Sequence, residues 1–169
     1  NFIPVVELSE ETSSSGETTS SVGQEIYIEA EQMQLAGNTK TEDKDFASNG
    51  SYIKLEGEDN KSASAATLFQ GETGYYDVVV GYYDGNKGAA ELTVQLDGNE
   101  LDSWELDQDL GDKQASEETF VTRTVASGIE LTRAESGFQI LGEKDEDDKA
   151  FVDYIKLVRV EAPGDAATN

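Results

Sequence analysis

The chain has 169 residues, enough for one core of ordinary size and short for two, and only 36% of them are hydrophobic, so part of it is expected to stay outside any core. Its 36 acidic and 12 basic residues give a net charge of −24, which excludes nucleic acid and anionic bilayers as partners. Cysteine and histidine are both absent, and with them disulfides, thiolate nucleophiles, imidazole metal sites and Ser-His-Asp triads.

From the start, Phe2, Ile3, Val5 and Val6 precede SEETSSSGETTSS (Ser9 to Ser21), which has no large apolar residue and cannot offset its own ordering entropy by burial. Residues 1–23 therefore read as a linker, 24–161 as one folded domain and 162–169 as an exit linker. The opening Asn1 fits a mature or excised fragment. No run of about 18 apolar residues appears, so no membrane insertion is expected.

The first strand is expected over Glu25 to Gln32, where Ile26, Ile28 and Ala30 alternate with Tyr27, Glu29 and Glu31. Further strands are expected near Gln34 to Lys40, Tyr52 to Glu56, Ala63 to Gln70, Tyr75 to Tyr83, Ala90 to Asp97, Leu101 to Leu106, Phe120 to Leu131, Phe138 to Leu141 and Phe151 to Val160. Turns at Asp84 to Gly88 and Asp97 to Asn99 read as hairpin turns between successive antiparallel strands. Val78 with Val80, Leu92 with Val94 and Leu96, and Ile155 with Leu157 share faces and are core candidates, joined by Val152 or Tyr154. Short strands at regular spacing with no amphipathic helix predict an all-β sandwich of two antiparallel sheets.

The segments IYIEAEQM, GSYIKL, GYYDVVVGYYD with LTVQLDG, and AFVDYIKLVRV occur in that order from Ile26 to Val160. In this order they resemble the carbohydrate-binding modules of family 6 and the related family 35. The resemblance implies a jelly-roll β-sandwich with a structural calcium ion and a sugar site on loops or a sheet face. It places the calcium ligands at Glu29, Glu31 and Asp153. Two carboxylates at i and i+2 of a strand project to one side, which suits an ion taking six to eight oxygens. Read from the residues alone, the same glutamates are also what the solvated side of an acidic edge strand carries.

Sugar binding in such modules rests on aromatic stacking with carboxylates or amides at the hydroxyls. Tyr52 matches the family's platform position. The loop DLGDKQASEET lacks the second aromatic, and EKDEDDKA lacks the Asn before the last strand, which puts the usual cleft in doubt. Tyr83, Asp84 and Asn86 gather an aromatic, a carboxylate and an amide that suit a sugar, a second calcium, or simply a tight loop. Trp104, the only tryptophan, is either a ring platform or, sharing parity with Leu106, part of the core.

The function implied is a noncatalytic calcium-dependent module of extracellular or cell-surface location, tethering a larger secreted protein to a polysaccharide or glycan. Its partners are that glycan and other domains of the same protein. A calcium-stabilised structural spacer or adhesin domain without a sugar ligand is the alternative. A glycoside hydrolase needs only two carboxylates, but nothing here marks a pair with one raised pKa in a cleft, so no enzyme is expected.

Overall fold

The computed structural model of the chain describes residues 22–58, 60–85, 88–111, 114–145 and 148–162; the tract up to Ser21, the segment from 163 onward and Asn86 lie outside them. Among the described residues the strands are β1 (Glu25–Glu29), β2 (Gln34–Gly37), β3 (Thr39–Asp43), β4 (Ser51–Leu55), β5 (Ala63–Leu68), β6 (Gly74–Tyr83), β7 (Glu91–Leu96), β8 (Asn99–Glu105), β9 (Phe120–Leu131), β10 (Gly137–Glu143) and β11 (Ala150–Val160). Three single 3-10 turns interrupt them at Ala30–Gln32, Ser48–Gly50 and Glu117–Thr119.

Two antiparallel sheets face each other. One runs β9-β6-β11-β4-β3, with β1 also paired to β11; the other runs β2-β5-β10-β7-β8. This is the two-sheet sandwich that the strand pattern predicts and the jelly roll that the resemblance implies. Alternation explains the two layers: Val78, Val80, Ile155 and Leu157 from one sheet meet Leu92, Val94, Phe138 and Ile140 from the other, all buried. Each such side chain contributes about 1.5–3 kcal/mol when fully buried.

Two expectations need correcting. The run Gln34 to Lys40 is not one strand: it breaks at Gly37 and Asn38, and the chain passes from the five-stranded sheet (β2) to the six-stranded one (β3). Gly37 has φ +68, and a Cβ there would collide with the Ser62 carbonyl, so only glycine permits the crossing. The turn after Tyr83 is not a hairpin either, because β6 and β7 belong to opposite sheets. Asp97-Gly98, with φ +52 and +84, does close the hairpin of β7 and β8, in the left-handed pair that two-residue hairpin turns require.

β11 is the centre of the molecule. One edge pairs with β6 along its whole length, while the other pairs first with β4 (Ala150–Val152) and then with β1 (Tyr154–Val158). At the change of partner the register against β6 slips by one residue, from Val152↔Tyr82 to Tyr154↔Gly81. Asp153 is the extra residue of this bulge. The slip also resets the phase of the strand, which is how Val152, Ile155 and Leu157 all reach the core while Tyr154 turns to the outer face.

Candidate functional site

Asp153 is only 2% exposed, and as the bulged residue its carboxylate lies where β1, β4 and β6 meet. Glu29 ends β1, and Glu31 lies in the 3-10 turn that follows rather than on the strand. That turn drives Ala30 and Met33 into the core. One oxygen from each of Glu29, Glu31 and Asp153 lies within 4.8 Å of the others. The three residues predicted from the sequence thus converge, through a turn and a bulge instead of simple strand alternation.

The segment before β4 closes the cluster. Asn49, at φ +57 in the left-handed region that Asn tolerates, shapes the turn Ser48–Gly50. The Ser48 hydroxyl donates to Glu29 Oε2 at 2.8 Å, its backbone N–H to Asp153 Oδ2 at 3.0 Å, and the Asn49 amide to Glu31 Oε2 at 3.3 Å. The Tyr83 hydroxyl donates to Asp153 Oδ2 at 2.7 Å. These bonds use one oxygen of each carboxylate. The other three, Glu29 Oε1, Glu31 Oε1 and Asp153 Oδ1, are buried and have no protein partner.

Electrostatics agree. Burial pushes the Glu29 carboxyl above its usual range, with Glu31 and Asp153 adding to the rise and the Ser48 bond opposing it. Burial also raises Asp153, against the bonds from Tyr83 and Ser48. Three hard oxygens with no donor, in a chain without cysteine or histidine, fit a calcium-type cation that supplies the missing charge.

On the outer face of the six-stranded sheet the same residues border a hollow of ≈ 340 Å³, lined by Phe46, Ser48, Tyr83, Glu117, Phe120, Asp153 and Tyr154. Beneath it Tyr52, Tyr83 and Phe151 form a second, smaller apolar cluster with Phe46 and Phe120 against it. Tyr52 is 3% exposed and stacked on Phe46 with ring centroids 6.1 Å apart. Tyr83 packs edge-on against Phe46 and Phe120. Phe46 and Phe120 were not singled out in the sequence, because nothing in the residue pattern sets an aromatic in a loop, or one opening a strand, apart from ordinary packing.

Trp104 and Asp84, also sequence candidates, lie elsewhere. Trp104 belongs to the main core, tilted against Tyr82 at 5.4 Å and covered by the Arg123 guanidinium at 4.7 Å. Arg123 in turn pairs with Asp102 at 2.7 Å. Asp84 is buried at the end of the sandwich, where it accepts from the Gln108 N–H. Asn86 lies outside the described residues.

Removing the Tyr83 hydroxyl tests the polar floor directly. Tyr83→Phe is expected to destabilise the domain by about 1–2 kcal/mol in a urea melt, because Asp153 keeps its charge but loses a buried donor. No change would mean that the hydroxyl bond is not formed in solution.

No family model and no curated protein matches the chain. Solved structures do. A family 35 carbohydrate-binding module from Clostridium thermocellum is similar at 14% identity and a TM-score of 0.56, over 81% of this chain and 99% of that one. A CBM36 domain of a multidomain xylanase from the hindgut metagenome of Trinervitermes trinervoides is similar at 15% identity and a TM-score of 0.53, over 82% and 100%. An exo-β-1,3-galactanase from Phanerochaete chrysosporium is similar at 19% identity and a TM-score of 0.55, over 81% of this chain but only 30% of the enzyme. The fold is therefore the sandwich of carbohydrate-binding modules of the family 6 and 35 type, which makes up the whole of the two module structures and 30% of the larger enzyme.

Proposed function

We propose that the domain is a noncatalytic, calcium-dependent carbohydrate-binding module that tethers a larger secreted protein to a neutral glycan. The observation that supports this best is the shared wall: Ser48 and Asp153 belong both to the carboxylate cluster and to the aromatic hollow. A cation that fixes these two residues also fixes the hollow. Phe46 and Phe120 then offer apolar ring surface to a pyranose, Glu117 accepts from hydroxyls, and Tyr52 and Tyr83 serve as the floor.

Catalysis is not part of this reading. Only two carboxylates line the hollow among the described residues, and Asp153 is committed to Tyr83 and Ser48, which leaves Glu117 without the partner that glycoside hydrolysis requires. The tethering role draws support from the likeness of the whole domain to independent modules and to one part of larger glycan-degrading enzymes. The net charge of −24 favours a neutral chain.

Affinity electrophoresis of the full chain in millimolar calcium, through gels containing β-1,3-galactan, mannan, xylan or dextran, checks the reading. At least one polymer is expected to retard the wild type, and Phe46→Ala with Glu117→Gln to abolish the retardation. The absence of retardation by all four favours the spacer alternative, with which the burial of Tyr52, Tyr83 and Trp104 also agrees.

A further inference from the structure

Glycine in the middle of a strand weakens it, because it packs nothing and loses the most freedom on folding. Gly81 is such a residue, in the interior of β6, and its φ is not positive, so no turn demands it. A Cβ at this position would lie 2.7 Å from Tyr154 Cζ and 2.9 and 3.0 Å from the two Cε atoms. The Tyr154 ring therefore lies across the Gly81 backbone. It reaches that place only because the bulge at Asp153 brings Tyr154, not Asp153, opposite Gly81.

Two locally unfavourable features thus seat one ring on the outer face of the sheet. The ring is held from both sides: Tyr27 meets it edge-on with centroids 5.1 Å apart, and Phe120 flanks it at 6.0 Å. Phe120 and Tyr154 line the hollow, while Tyr27 is 48% exposed and stands beyond it, with Lys156 Nζ at 6.0 Å from its ring. Thr122, exposed on β9, pairs with Gly81 and offers a hydroxyl beside the ring.

We propose that Tyr154, laid flat on Gly81, is a stacking platform for a second part of the glycan chain, which leaves the hollow and continues across the sheet toward Tyr27. The proposal rests on the glycan-binding reading. A partly exposed ring suits the C–H face of a pyranose, and it costs little entropy to order because its neighbours already fix it. The occupant is a neutral chain, since Glu25 beside Tyr27 and Glu117 in the hollow border the strip and repel an anionic one.

The test uses the full chain in millimolar calcium and oligosaccharides of two to six units cut from whichever of the four polymers retards it. Calorimetric titration is expected to show affinity rising with chain length. Tyr154→Ala should weaken the longest oligosaccharide about fivefold to tenfold and the disaccharide less than about twofold. Tyr154→Phe should retain the gain, and Gly81→Ala, which displaces the ring, should lose it. Tyr27→Ala, at an exposed position, carries the test if Tyr154→Ala does not fold: it should weaken only the longest chains.

A loss that is equal at all lengths, or none, overturns the platform. If Phe46→Ala abolishes binding while Tyr154→Ala leaves the length dependence intact, only the platform falls. If the wild type binds no polymer, the glycan reading itself falls and the platform with it.

Discussion

Calcium at about one hundred times its dissociation constant is expected to raise the melting temperature by about 10 °C over the same protein in EDTA, because a ligand at that ratio adds about 2.7 kcal/mol to the folded state of a domain this size. The stabilisation has a definite source. Glu29, Glu31 and Asp153 each aim one buried, unpartnered oxygen into the same space, and without a cation their charges repel one another. Burial raises the carboxyls of Glu29 and Asp153, and for Glu29 the neighbouring charges of Glu31 and Asp153 add to the rise.

Isosteric variants separate this effect from simple damage. Glu29→Gln, Glu31→Gln and Asp153→Asn each keep an oxygen for the existing donors and remove one charge from the cluster. In EDTA they are expected to melt at or above the wild type, and in calcium well below it. A structural role without a metal gives the opposite order in EDTA. Identical melts of the wild type in EDTA and calcium, followed by differential scanning calorimetry, would overturn the metal site altogether.

The strands were legible because their alternation is set by burial, which leaves a mark on every second residue. Phe120–Leu131 was read to the residue, since its Phe, Val and Ile run is flanked by the polar stretches SEET before it and TRAES after it. The path between the sheets was less legible. Asp, Gly and Asn after Tyr83 are what a tight turn needs whether it returns to the same sheet or crosses to the other, so the turn chemistry cannot tell a hairpin from a crossover.

Glu29 and Glu31 were visible as a pair, whereas their meeting with Asp153 came from the family resemblance. The bulge left one trace in the sequence: Val152 is out of phase with Ile155 and Leu157, a conflict that a regular strand cannot resolve and one extra residue can. The residues of the hollow left less. In the sequence Tyr154 stands with Val152 as an alternative for the core, and only its seat on Gly81, set by the three-dimensional register, separates it from Tyr75 or Tyr27.

Asp84→Asn is expected to stabilise the metal-free domain at pH 8 and to change little at pH 4. Asp84 is 1% exposed; its Oδ2 accepts from the Gln108 N–H at 3.3 Å, and its Oδ1 has no hydrogen-bond partner. Burial, which the Gln108 and Asp109 backbone bonds oppose and the Asp148 and Asp107 charges reinforce, pushes its pKa up to about 6. An unfolded Asp titrates near about 3.9. Between these values the folded state holds the proton more tightly, so stability falls as pH rises from about 4 to about 6, and above that the full penalty is present. A shift of this size corresponds to about 3 kcal/mol at most.

The amide keeps an acceptor for Gln108 and removes the charge, so urea midpoints in EDTA should converge at pH 4 and separate at pH 8, with the variant higher. Glu29 and Asp153 tilt the metal-free curve in the same direction, because their carboxyls are raised too. Calcium reverses their part, since it binds the ionised forms and loses to protons on acidification. The Asp84 contribution should therefore persist in calcium as a fall in stability from pH 4 to pH 6 that Asp84→Asn abolishes. A variant less stable than the wild type at pH 8, with no difference at pH 4, would show instead that the Asp84 charge is held by a favourable partner, and would end the account of it as a buried liability.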